Sequence, residues 1–216
     1  MIGKRIIRFV VLLVVVYGSL VVCWPVLGKG YSRLYRAGAN FLFGSFGSTG
    51  IVEFSESNGA VYDIEVQLYN VGRKDQNGAM RGIRIWQSSR HAGYMEAAFL
   101  TALVIATPMP IRRKALSLFC GLLLLHGFFV IMIAIYITKA FSSEPLFLFA
   151  IDGFWKQILC RTDAYVTDSA CGFIVSIFIW VLVSFRRGDW AAIVSGKQES
   201  IRMPLRPAGK AKMARA

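Results

Sequence analysis

From Ala115 to Ile137 the chain runs for 23 residues without an Asp, Glu, Lys or Arg. A helix over such a stretch, rising about 1.5 Å per residue, reaches across the ~30 Å hydrocarbon core of a bilayer. Three further apolar runs accompany it: Ile6 to Leu27, broken only by Arg8, then Tyr94 to Met109, and Cys171 to Phe185. Charged residues are 17% of the chain and fall between these runs. A bilayer selects that segregation, because an ionised side chain at its centre costs a few kcal/mol or more.

The net charge of +13 would suggest a nucleic-acid binder in a soluble chain. Here Lys and Arg cluster at the ends of the apolar runs and in the C-terminal tail, where they suit anionic lipid headgroups. No nucleic-acid reading motif accompanies them, so no nucleic-acid partner is expected.

These patterns predict an α-helical integral membrane protein with about four transmembrane helices and a small external three-stranded antiparallel β-sheet. The expected order is a first transmembrane helix (1–28), an interfacial segment (29–50) and an external β meander (51–90). A transmembrane hairpin (91–141), an external or re-entrant segment (142–169), a fourth transmembrane helix (170–187) and a basic cytoplasmic tail (188–216) follow. The basic clusters Lys4-Arg5, Arg112-Arg113-Lys114 and Arg186-Arg187 sit at the same ends of successive runs. Positive charge marks the cytoplasmic side, so both termini are expected there, in a bacterial inner (plasma) membrane. A cleaved signal peptide is the rival account of the first run. That run exceeds the usual ~7–15-residue apolar core, and Val22-Cys23-Trp24-Pro25 is no small-residue cleavage site.

Between the first two runs the period changes. Tyr62, Ile64, Val66 and Leu68 alternate with Asp63, Glu65 and Gln67, the mark of a strand with one covered face. Asn58-Gly59 is a hairpin signal linking it to Ile51–Phe54, and a polar turn from Arg73 to Gly78 leads to a third strand, Met80 to Trp86. Three strands have little core, so their apolar face should rest on helix ends or on a partner. Tyr31 to Phe46 reads either as an interfacial helix or as an irregular aromatic linker. Pro145 to Leu159 reads as a re-entrant or surface-lying helix.

Residues able to do chemistry are few. Cys23, Cys120, Cys160 and Cys171 have no C-x-x-C or zinc-type spacing, and neither a metal nor a cofactor is expected. Cys160 and Cys171 both fall outside, where a disulfide between them is possible; Cys23 and Cys120 suit small packing positions. His126 sits mid-run, either as a functional group or hydrogen-bonded within the helices. The richest cluster is Ser88-Ser89-Arg90-His91-Ala92-Gly93-Tyr94-Met95-Glu96. Arg90, His91, Tyr94 and Glu96 are binding candidates, with Arg90 able to grip a phosphate or carboxylate. An interface anchor explains the same residues, with Glu96 at a helix N-terminus.

The stretch Gly93-Tyr94-Met95-Glu96-Ala97-Ala98, an apolar helix, the Arg112-Arg113-Lys114 turn and a returning helix together resemble the central hairpin of the exosortase/archaeosortase family. The resemblance covers about Arg90 to Ile137. It implies a place in an envelope protein-sorting system, since that family comprises membrane cysteine enzymes that cleave and transfer C-terminal sorting signals. Two departures bear on activity. Gly93-Tyr94 stands where the family has its nucleophilic Cys, and Phe128-Phe129-Val130-Ile131 where it has Asn-x-x-Arg. The leading expectation is therefore a non-catalytic, exosortase-like or accessory membrane protein that binds the bilayer and an envelope or membrane protein. The alternatives are an atypical cysteine protease or transpeptidase acting through Cys171, and a small transporter or channel subunit. Paired intramembrane charges and inverted repeats, which would favour the last, are missing.

Overall fold

The computed structural model describes residues 2–57, 59, 61–74, 78, 80–166 and 169–185. The basic tail expected over 188–216, together with Arg186, Arg187 and Asp168, lies outside the described residues. Two helices lead, α1 (Ile2–Val22) and α2 (Trp24–Phe43), followed by strands β1 (Ser45–Phe46), β2 (Gly50–Glu56), β3 (Ile64–Lys74) and β4 (Met80–Gln87). A wide helical turn (Arg90–Tyr94) then opens α3 (Met95–Ala106), α4 (Ile111–Phe141), α5 (Gly153–Val166) and α6 (Ser169–Ser184).

This is a mixed α/β architecture, with six α-helices and a four-stranded antiparallel sheet among the described residues. It corrects the expected class of a four-helix membrane protein. By length and composition one helix, α4, is long and apolar enough to cross a membrane, or two spans if the bent α1–α2 pair counts as one. The reasons are local. Thr107 is extended (φ −67°, ψ 129°) because Pro108 follows it, which stops α3 after 12 residues, about 18 Å. The 16 residues of α6 reach about 24 Å. Pro25, in the first turn of α2, offers no N–H to the end of α1, and the axis turns by 73° at Cys23.

The sheet has the order β1-β2-β3-β4, one strand more than the sequence pattern indicates. β1 is only Ser45–Phe46, paired with Ile51 and Gly50, and too short to show a period. The alternation in β3 holds: Ile64, Val66 and Leu68 are buried, opposite Glu56, Phe54 and Val52 of β2. Their covered face packs on Ala39 and Phe43 of α2 and on Ile137 and Phe141 at the end of α4. The sheet's apolar face thus rests on helix ends of the same chain. Asn40 of α2 closes the β2 edge, where its amide donates to Phe54 O (2.9 Å) and accepts from Phe54 N–H (2.8 Å).

A second core joins Ala97, Leu100 and Val104 of α3 to Leu125 and Phe129 of α4 and Ile179 of α6. At the far end of α4 the basic triad ties neighbouring helices. Arg113 donates to Ser184 O (2.6 Å) and Lys114 to Ile105 O (2.6 Å), filling C-terminal carbonyls that helices leave open.

Candidate functional site

The cluster from Ser88 to Glu96 forms where β4 leaves the sheet and α3 begins. Ser89 is fully buried, and Asp63 at the foot of β3 holds it: Ser89 N–H and Oγ donate to the carboxylate at 2.7 and 2.5 Å. The turn after it is kinked at Gly93, whose φ of 150° disfavours any side chain, and a Cβ there would lie 2.6 Å from the Tyr31 hydroxyl. Wide turns of this kind often accompany functional sites.

The kink divides the four binding candidates. Tyr94 is buried and donates to Leu20 O (2.7 Å), near the end of α1. Its ring packs 4.6 Å from Trp24 and 5.4 Å from Tyr31. Arg90 carries a buried Nε with no hydrogen-bond partner among the described residues. His91 is exposed, and Glu96 is 3% exposed in the first turn of α3.

His91 and Glu96 line one cavity of about 410 Å³ between the inner face of the sheet, α4 and the kinked turn. Phe54, Val66 and Ile85 line it from the sheet, and Phe129, Met132 and Ile133 from α4. Arg90 and Tyr94 are not among its lining residues. The volume lies within the ~300–1,000 Å³ of small-molecule sites. A neighbouring cavity of about 230 Å³ between α2 and α4 shares Tyr35, Phe129 and Ile133 with it and adds His126, whose Nδ1 lies 2.8 Å from Leu122 O.

Glu96 is the exceptional group in this wall. Its side chain crosses bare Gly172 of α6, where a Cβ would stand 2.7 Å from Glu96 Cγ. Below it Ser176 Oγ donates to Glu96 O (3.3 Å) and Gly172 O (2.9 Å). Oε2 is buried without a hydrogen-bond partner among the described residues.

None of the four cysteines is among the residues that line the cavity, although Cys171 adjoins Gly172 in the chain. Cys160 is exposed on α5, Cys171 is half-buried at the start of α6, and both are free thiols, as are Cys23 and Cys120. Among the described residues no three His, Cys, Asp or Glu side chains are placed to share a metal ion. Asp63, which organises the turn, carried no sequence signal beyond its place in the β3 alternation. No family model, curated protein or solved structure matches the chain.

Proposed function

We propose that the protein is a non-catalytic, membrane-anchored binding protein of a bacterial inner membrane. In this reading α4 crosses the bilayer with Arg112, Arg113 and Lys114 on the cytoplasmic side, and the sheet is carried outside as a platform for another envelope component. The observation that carries it is the division of α4 itself. Leu116, Phe119, Leu123 and Ile131 are exposed along its length, whereas Ile137 and Phe141 at its far end are buried beneath the sheet. Exposed apolar side chains over several turns suit lipid, and the buried end makes the sheet rigid with the anchor. The hairpin of α3, the basic turn and α4 is also where the chain resembles exosortases, which supports a partner in an exosortase-type sorting system.

The outer face of the sheet supplies a polar binding surface. Arg84 pairs with Glu65 at 2.8 Å, Gln67 donates to Glu65 at 2.9 Å, and Trp86 stands exposed beside them. Exposed Trp and Arg are frequent anchors of protein interfaces.

The test is accessibility to a membrane-impermeant maleimide in spheroplasts, using a variant whose four native cysteines are serine. Gln67→Cys should label and Arg112→Cys should label only after permeabilisation; the reverse pattern rejects the reading. A second reading, a cysteine transpeptidase, rests on Cys171, half-buried beside the Gly172–Glu96 contact. It requires Cys171→Ala to abolish pathway activity at unchanged protein level, whereas the binding reading expects activity to persist.

A further inference from the structure

The cavity beneath the sheet has a wall of one kind and a polar group of another. Its lining is mostly aliphatic and aromatic, with Tyr35, Tyr62, Gln87, Ser88 and His91 towards its polar side. Among the described residues no Lys or Arg lines it, and its one acidic residue is Glu96. Glu96 as a residue is 3% exposed, and its Oε2 is buried with no hydrogen-bond partner among the described residues. Buried carboxyl oxygens are rarely left so, because the unmade bond costs the desolvation of the group.

The surrounding packing holds the carboxyl in place. Gly172 leaves room for the side chain to cross α6, and Ser176 binds the Glu96 carbonyl, so the residue is fixed from the α6 side. The cavity is therefore an apolar slot with an acid held at its wall, a common form of site for a molecule that is mainly hydrocarbon with one polar end. Since no lining residue brings a fixed positive charge, the complementary polar end is a cation.

We propose that this cavity binds a single-chain amphiphile with a primary amine, its hydrocarbon lying between the sheet and α4 and its ammonium donating to Glu96. The ammonium supplies hydrogen bonds and the opposite charge together, which a hydroxyl end does not. Met132 and the exposed Tyr136 line the cavity from α4, the helix that carries exposed apolar side chains.

The test uses full-length protein in detergent with two photoreactive probes, diazirine-bearing dodecylamine and the matching dodecanol, and mass spectrometry to locate adducts. The amine probe should label residues 129–137 about tenfold more than the alcohol, as a charge-assisted bond would give. Glu96→Gln should lower amine labelling to the level of the alcohol while far-UV circular dichroism stays unchanged. Met132→Trp, which retains Glu96 and fills the slot, should remove labelling by both probes. Equal labelling by amine and alcohol overturns the proposal, as does amine labelling that survives Glu96→Gln. Should Glu96→Gln not fold, labelling that persists in Met132→Trp overturns it instead.

Discussion

The sheet end and the helical end of this molecule solve burial in opposite ways. At the sheet end the inner apolar row finds cover within the chain: Ile64, Leu68, Ile137, Phe141 and Leu146 are all essentially inaccessible. The polar groups there are paired too. Asn70 donates to Leu146 O (2.7 Å) and accepts from Thr49 Oγ1 (3.1 Å) and Gly72 N–H (2.9 Å). Along the helices the pattern inverts. Phe119 is 67% exposed, Phe178 71% and Leu182 71%, on surfaces with no described element over them. The sheet's apolar face needs a cover, and here α2 and α4 supply it. The outward faces of α1, α4 and α6 complete no core within the chain, and an apolar surroundings is what suits them.

Substitutions on the two sides of α4 should separate these regimes. Phe141→Ala opens a cavity under the sheet beside the stacked ring of Phe46 and should cost about 3–5 kcal/mol. Phe119→Ala, on the exposed side, should cost little; thermal unfolding of both in detergent tests the contrast, and equal losses break it. Next in size is Leu123→Asp. A carboxylate at mid-bilayer costs about 2.5–3.5 kcal/mol, so the variant should insert poorly into membranes yet remain folded in detergent. Unchanged membrane partitioning would mean that this face does not meet lipid.

Smaller effects fall within the sheet end. Asn70→Ala strands the Leu146 carbonyl and the Gly72 N–H and should cost about 1–3 kcal/mol, seen as earlier protease cleavage between α4 and α5.

Much of the sheet was legible because its rule is local. A buried row at Ile64, Val66 and Leu68 follows from a period of two, but β3 runs on through Arg73 and Lys74, which their polarity assigns to a turn. The same local reading overestimated the helices. Apolar runs show which residues avoid water, but they do not show where a helix bends or stops. The 73° turn at Cys23, the ending of α3 before Pro108 and the 16-residue length of α6 leave, among the described residues, one helix of sufficient length where four apolar runs stand in the sequence. Proline was visible in both places, yet its consequence depends on the packing of the neighbouring turns.

For the site, the sequence drew attention to the nine residues 88–96 and grouped four of them as one surface. The kink at Gly93 separates them, sending Tyr94 to the end of α1 and Glu96 to the cavity wall. By itself the sequence determined the apolar segments, the strand faces and the basic turn, since each depends on neighbours a few residues apart. Only the tertiary structure decided the α1–α2 bend, the short β1 pair, the Asp63–Ser89 clamp and the unpartnered carboxyl of Glu96. The clamp and the Glu96–Gly172 contact join residues far apart in the chain, where distance and burial exist only after packing.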